Sequence, residues 1–92
     1  MDVMRHVVIR GRVQGVGFRA WTEYTALERG LRGWVRNRRD GGVELLATGN
    51  DNAVAALIEA CREGPSAANV TGVKVEHGED DGGAGFSATP TI

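Results

Sequence analysis

The feature that most constrains this chain is the run of residues 11–19, GRVQGVGFR, in which three glycines interrupt the sequence. The preceding residues 3–10 are rich in valine and isoleucine, which predicts a buried β-strand. The following residues 20–29 contain no glycine or proline before position 30, which favours a helix. The run is therefore predicted to be a loop that leads from the end of a strand to the beginning of a helix.

A loop of this kind is well suited to binding an anion. The first N–H groups of a helix have no partner within the helix and lie at the positive end of its dipole. Glycines allow consecutive N–H groups to face a concavity that side chains would otherwise fill, and Arg19 adds a planar guanidinium with several donors. We therefore predict that Arg19 binds a phosphate group together with the backbone N–H groups of Gln14, Gly15, Val16, Gly17 and Phe18.

Length and composition indicate a single domain spanning residues 1–92. The chain is 41% hydrophobic and 25% charged, as is usual for soluble globular proteins. No apolar run is long enough to cross a membrane, and the amino terminus lacks the pattern of a signal peptide. A lone cysteine, Cys61, favours a reducing compartment. These observations predict a cytoplasmic protein without membrane contact, with a monomer as the default state.

The net charge of −1 hides an asymmetry along the chain. Residues 1–50 carry nine arginines and five acidic residues, a balance of +4, whereas residues 51–92 carry two basic and seven acidic residues, a balance of −5. The basic half contains the glycine-rich run and would attract anions to it. Because the arginines form no continuous run and lysine is almost absent, nucleic acid is not a predicted partner.

Periodicity and turn signals predict two helices and five strands. The strands cover residues 3–12, 31–37, 43–48, 69–76 and, briefly, 86–89; the helices cover residues 18–29 and 51–63. This order is the split βαβ arrangement of the ferredoxin-like α+β sandwich, with two helices on one face of a mainly antiparallel sheet. The acidic, glycine-rich residues 76–85 are predicted to form a mobile surface loop.

The predicted core comes from both helices and the central strands. The second helix has one continuous apolar face, and in the first helix the apolar stripe is weaker, with Trp21 and Tyr24 half-exposed. The residues predicted to be buried are Phe18, Ala26, Leu27, Trp34, Val35, Val54, Leu57, Ile58 and Cys61.

The predicted topology places Asn37 beside the glycine-rich run. Strands one and two are parallel in this fold with strand three between them, so their carboxyl ends lie at one edge of the sheet, about 10 Å apart. Asn37 ends strand two there, and its carboxamide can orient a water molecule. Arg19 and Asn37 are therefore the predicted catalytic residues.

The residue types at this site limit the substrate. Neither arginine nor asparagine titrates near neutral pH, so catalysis would depend on positioning and on charge stabilisation, which suits phosphoryl transfer. A phosphate monoester leaves as an alkoxide, which needs a general acid or a metal ion. An acyl phosphate leaves as a stable carboxylate, so acyl phosphates are the predicted small-molecule substrates.

The runs GRVQGVGFR (11–19), GWVRN (33–37) and DGGVE (40–44) resemble the signatures of the acylphosphatase family. The resemblance implies a ferredoxin-like fold and hydrolysis of carboxyl-phosphate anhydrides without a metal ion or an organic cofactor. It also implies that Arg19 binds the phosphate, that Asn37 positions the water and that the substrate's own phosphate accepts the water's proton. Many relatives end in Phe-x-Ile/Val-Arg, whereas residues 86–92 do not. The resemblance therefore does not decide whether a fifth strand forms.

Two other functions stay open at this point. One is a module of the same fold that binds an acyl phosphate or carbamoyl phosphate without turnover, as in domains of carbamoyl-transferring maturation proteins, although we expect this chain to stand alone. The other is a nucleic-acid-binding sandwich, which would need exposed aromatic residues on the central strands. Strands one and three carry aliphatic residues instead.

Several side chains have alternative interpretations. Arg36, Arg38 and Arg39 could steer substrate, although solvated surface charge is the favoured interpretation. His6 and Cys61 are predicted to be structural. A metal site is not predicted for the acidic loop, whose candidate ligands are adjacent in sequence without support from other elements: His77, Glu79, Asp80 and Asp81.

Overall fold

The order of elements agrees with the sequence prediction. A computed structural model describes residues 1–79 and 83–91. The strands are β1 (Asp2–Arg12), β2 (Arg32–Asn37), β3 (Val43–Asn50), β4 (Asn69–His77) and β5 (Phe86–Ala88), and the helices are α1 (Phe18–Glu28) and α2 (Asp51–Cys61). The predicted acidic loop begins only after His77, and Asp80, Asp81 and Gly82 lie outside the described residues.

The five strands form one mixed sheet in the order β4-β1-β3-β2-β5. Strand β3 is antiparallel to both β1 and β2, and β4 is antiparallel to β1. Strand β5 adds a parallel pairing to the outer edge of β2, which confirms the short fifth strand. Because β1 and β2 both run antiparallel to β3, their carboxyl ends lie at the same edge of the sheet, as predicted.

Both helices pack against one face of the sheet, which confirms the ferredoxin-like sandwich. The core between these layers is aliphatic, with one buried phenylalanine from each end of the chain. Its fully buried members include Val7, Ile9, Val35, Val43, Leu45, Val54, Leu57 and Cys61. Among the described residues, no helix has the length and apolar character needed to span a membrane.

Helix α2 has the apolar face that its sequence predicts. The Asn50 side chain caps the helix by accepting a hydrogen bond of 2.9 Å from the backbone N–H of Asn52. Val54, Leu57 and Cys61 are buried against the sheet, and Ile58 is half-buried beside them. The spacing of apolar residues therefore predicted both the helix and the face that it buries.

Substitution of Leu57 with alanine is expected to lower the free energy of unfolding by about 2–5 kcal/mol, because it leaves a cavity in a fully buried site. The matched control is Leu27→Ala on α1, whose side chain is 53% exposed. That control should change stability by less than about 0.5 kcal/mol. Urea unfolding followed by circular dichroism measures both, and equal losses in the two variants would contradict this assignment of the core.

The prediction that Leu27 belongs to the core is wrong. Helix α1 turns this residue towards solvent and instead buries Thr22 and Thr25. The Thr22 hydroxyl donates a hydrogen bond of 2.8 Å to the carbonyl of Phe18, and the Thr25 hydroxyl donates one of 2.8 Å to that of Trp21. These bonds to the preceding turn satisfy the hydroxyls, so polar residues occupy the buried face at little cost.

The uncovered face of the sheet carries its own packed layer of side chains. Trp34, predicted to be buried with Val35, is only half-buried because it points to this face. The Arg36 guanidinium lies 4.4 Å from the centre of the Trp34 ring, and the His6 ring packs edge-on against it at 6.2 Å. Strand β3 is consequently buried on both faces, and its Glu44 is only 3% exposed.

Candidate active site

The glycine loop, residues 13–17, connects β1 to α1. Gly15 and Gly17 adopt left-handed conformations, with φ of 71° and 78°, which other residues rarely tolerate. Gly17 caps α1 without a side-chain hydrogen bond. Within residues 1–79 and 83–91, no hydrogen bond uses the backbone N–H groups of Gly15, Val16 or Gly17. The loop therefore presents unused donors at the positive end of a helix.

Arg19 lies in the first turn of α1 and is half-exposed. Its Nη1 donates a hydrogen bond of 3.1 Å to the carbonyl oxygen of Thr89, just after β5. The backbone N–H of Thr89 in turn donates to the carbonyl of Val35 at 2.8 Å, which ties this segment to β2. Sequence analysis missed Thr89, because a backbone carbonyl carries no residue-type signal and residues 86–92 depart from the family pattern.

Asn37 is the last residue of β2 and pairs with Val43 at the end of β3. No hydrogen bond to its carboxamide is found in the described part of the chain. Asn37 and Arg19 line one cavity of about 190 Å³, which the glycine loop closes on one side. Among the described residues, the lining consists of Val13, Gly15, Gly17, Phe18, Arg19, Ala20 and Asn37.

Two of the predicted loop residues do not line this cavity. The Gln14 side chain donates hydrogen bonds to the turn between β2 and β3. The Val16 side chain is half-buried and packs against the core. Of the five positions predicted to offer backbone N–H groups, the structure places Gly15, Gly17 and Phe18 at the cavity.

The acylphosphatase family model matches residues 5–88, which span the sheet, both helices and the cavity. The chain belongs to the acylphosphatase family. An acylphosphatase from Rhodopseudomonas palustris (strain BisB5) is 58% identical over 78 residues, which cover 85% of this chain and 79% of that protein. Sequence similarity on this scale identifies the chain as an acylphosphatase enzyme.

Solved structures agree with this family assignment. The crystal structure of acylphosphatase from Bacillus subtilis matches with a TM-score of 0.90 at 40% identity and covers 97% of this chain and 99% of that chain. The structure of full-length HypF in its phosphate- and nucleotide-bound form matches with a TM-score of 0.91 at 27% identity. That match covers 99% of this chain but 12% of the HypF chain.

Arg36 and Arg38, which flank Asn37 in the sequence, form ion pairs with the carboxylate of Glu44. Glu44 accepts a hydrogen bond of 2.7 Å from Arg36 Nε, lies 3.5 Å from Arg38 Nη1, and lies 2.8 Å from His6 Nε2. Burial raises the pKa of Glu44, but the hydrogen bonds from Arg36 and His6 and the nearby positive charges outweigh burial and leave its pKa below the ordinary value. His6 thus contributes to an ion-pair layer on the uncovered face and does not line the cavity.

Glu44→Gln is expected to be less stable than the wild type at pH 7 by about 1–3 kcal/mol, because charge-assisted hydrogen bonds are lost. Since the folded pKa lies below the unfolded value, the carboxylate stabilises the fold above the unfolded pKa of about 4.3, and this contribution is lost as pH falls through the folded pKa. The two stability curves should therefore converge in acid. Urea unfolding between pH 7 and pH 3 measures them, with Glu63→Gln, an exposed site, as the control. If the free energies of unfolding of the two proteins differed by the same amount at every pH, the stabilisation would not depend on the ionisation of Glu44.

Of the remaining titratable candidates, those that the structure describes do not line the cavity. Burial raises the pKa of the Cys61 thiol to about 12, so this cysteine is a core residue and an unreactive thiol. Within the ranges that the structure describes, no group of three or more histidine, cysteine or acidic residues is arranged to hold a metal ion. Asp80 and Asp81 lie outside those ranges, and His77 and Glu79 are exposed.

Proposed function

We propose that the protein hydrolyses acyl phosphates to a carboxylate and inorganic phosphate. Arg19 and the loop N–H groups hold the phosphoryl group, and Asn37 positions the attacking water. The observation that carries this proposal is the meeting of Arg19, Asn37 and the glycine loop at one small cavity in a chain of the acylphosphatase family. The loop donors have no protein partner in the described residues, so they are free to take phosphate oxygens.

In the proposed reaction, some residues bind the phosphoryl group and another positions the attacking water. The Arg19 guanidinium donates two hydrogen bonds to phosphoryl oxygens, and the loop N–H groups hold the others. The Asn37 carboxamide orients a water molecule towards phosphorus, opposite the bond to the acyl oxygen. Water oxygen bonds to phosphorus as the bond to the acyl oxygen breaks, and the carboxylate departs with that electron pair. A phosphoryl oxygen takes the proton of the water, so the products are a carboxylate and dihydrogen phosphate.

Leaving-group chemistry supports acyl phosphates over phosphate monoesters. As far as residues 1–79 and 83–91 show, the cavity lining includes no carboxylic acid or histidine that could protonate an alkoxide. A carboxylate needs no such proton, so binding, orientation and charge stabilisation are sufficient. The proposed reaction accordingly uses neither a metal ion nor an organic cofactor.

In this proposal, the protein makes few contacts with the acyl group of the substrate. A cavity of about 190 Å³ accommodates a phosphoryl group, and beyond the loop its apolar lining among the described residues consists of Phe18 and Ala20. We infer broad acceptance of acyl groups. We also infer that the protein acts as a monomer in the cytoplasm without nucleic acid, because its lone cysteine favours a reducing compartment and its arginines form no continuous run.

The similarity to part of HypF favours one second candidate, a module that binds an acyl phosphate or carbamoyl phosphate without turnover. The test is release of phosphate from an aromatic acyl phosphate and from an aromatic phosphate monoester, both in excess chelator. Turnover of the acyl phosphate alone is the expected result. Bound phosphate without turnover of either compound would favour the binding module, and turnover of the monoester at a similar rate would contradict the proposed chemistry.

A further inference from the structure

The Gln14 side chain joins the two halves of the candidate site. Its Nε2 donates hydrogen bonds of 2.7 Å to the carbonyl oxygen of Arg38 and 2.8 Å to that of Gly42. These two carbonyls lie at the ends of the turn between β2 and β3, residues 38–42, which directly follows Asn37. Because a carboxamide nitrogen carries two hydrogens, each hydrogen has one acceptor and the orientation of the group is fixed.

The turn does not need Gln14 to satisfy its own backbone. The carbonyl of Gly42 also accepts a hydrogen bond of 2.8 Å from the N–H of Arg38, and the carbonyl of Arg38 accepts one of 3.2 Å from the N–H of Gly41. The Asp40 carboxylate stabilises the same turn by accepting bonds from the N–H of Gly42 and from Arg10. Loss of the Gln14 donors should therefore leave the turn folded and both of these carbonyls with a backbone partner.

The contact between loop and turn has no substitute in the described residues. No other hydrogen bond joins residues 13–17 to residues 37–42, and the pairing of β1 with β3 ends at Ile9 and Val43. Within the described residues, the Gln14 carboxamide thus makes the only hydrogen bonds between the glycine loop and residues 37–42, whereas Arg10 pairs with Asp40 from β1, before the loop begins. A displacement of about 1 Å between reacting groups can cost about 10²-fold in rate.

We propose that the Gln14 side chain is a positioning residue that sets the distance between the phosphate held by the glycine loop and the water held by Asn37. This inference rests on the proposed function of the cavity. It assigns to Gln14 a role beyond its backbone N–H group, since the side chain bonds to the turn and Gln14 does not line the cavity. The role predicts an effect on turnover that exceeds the effects on phosphate binding and on folding.

The test compares Gln14→Met, which keeps the side-chain length and removes both donors, with Asp40→Asn, which loosens the outer side of the same turn. Gln14→Met should lower kcat by about 10- to 100-fold while KM and the inhibition constant of inorganic phosphate change by less than about 3-fold. Asp40→Asn should retain the wild-type kcat. In an Asn37→Ala background, Gln14→Met should cause no further loss. An unchanged kcat in the single variant, or an equal loss in both backgrounds, would overturn the proposal.

A second measurement separates this inference from the proposed function. Inorganic phosphate added to the labelled wild-type protein should shift the amide signals of the glycine loop, of Asn37 and of residues 38–42, because the Gln14 carboxamide couples the loop to this turn. In Gln14→Met the shifts should be confined to the residues that line the cavity, namely the loop, the start of α1 and Asn37. This readout needs no turnover, so it applies even if the wild type fails to hydrolyse acyl phosphates. The same shifts at residues 38–42 in both proteins would overturn the coupling.

Discussion

Substitution of Arg19 with lysine is expected to lower kcat/KM for an aromatic acyl phosphate by about 10²- to 10³-fold. A lysine keeps the positive charge but cannot donate two parallel hydrogen bonds to one phosphoryl group. A single ammonium nitrogen also cannot reproduce the fixed spacing of donors with which the guanidinium can face a phosphate while Nη1 donates to the carbonyl of Thr89 at 3.1 Å. Both the affinity for inorganic phosphate and the turnover should therefore fall, as measured by inhibition and by initial rates.

The control for this variant is Arg29→Lys at the other end of α1, where the arginine is exposed and remote from the cavity. It changes the same residue type in the same helix and should retain wild-type kinetics. Circular dichroism should report the same fold in both variants. Near wild-type kinetics in Arg19→Lys would remove Arg19 from the site and leave the glycine loop as an ordinary connection between a strand and a helix.

Asn37→Ala is expected to lower kcat by about 10²- to 10³-fold while the inhibition constant of inorganic phosphate stays within about 3-fold of the wild type. The reason is that alanine removes only the carboxamide that orients the water. Arg19 and the loop donors keep their places, because no hydrogen bond in the described residues links them to the Asn37 side chain. Initial rates and phosphate inhibition, measured on the same preparation, separate turnover from binding.

The matched control is Asn52→Ala in the first turn of α2, an exposed residue away from the cavity. Its kinetics should equal those of the wild type. If phosphate affinity and turnover collapse together in Asn37→Ala, the side chain has a structural role at the end of β2. In that case the positioning of water must come from another group.

Topology explains why much of the site was predictable. The apolar spacing of Val54, Leu57 and Cys61 and the turn residues around Asp40 predict the order of helices and strands. Once that order indicates a split βαβ unit, β1 and β2 must end at one edge of the sheet. Arg19 and Asn37 then come close together although 18 positions separate their numbers in the sequence.

The features that sequence analysis missed depend on contacts between remote segments. The burial of Thr22 and exposure of Leu27 follow from how α1 is rotated on the sheet, which a weak apolar stripe does not determine. Gln14 was predicted only to offer its backbone N–H group to phosphate, because nothing in the neighbouring sequence indicates the two carbonyls that its side chain reaches across the fold. The acceptor at Thr89 is likewise a backbone atom.

Sequence analysis also did not predict that the carboxylate of Glu44 is buried. Period-two alternation places it on the uncovered face of the sheet, where a polar residue is usually solvated. In the structure, the Arg36 and His6 side chains cover it and supply its partners. Two of the three arginines considered for steering, Arg36 and Arg38, therefore neutralise an internal charge, and only Arg39 stays exposed.

Hydrolysis of an aromatic acyl phosphate in water enriched in oxygen-18 tests the central claim most directly. The proposed site holds phosphorus for attack by water, so enzymatic turnover should place one labelled oxygen in the inorganic phosphate and none in the carboxylate, as read by mass spectrometry. The uncatalysed reaction without protein is subtracted as background. Label in the carboxylate would mean attack at the carbonyl carbon and would contradict the assigned roles of Arg19, the glycine loop and Asn37.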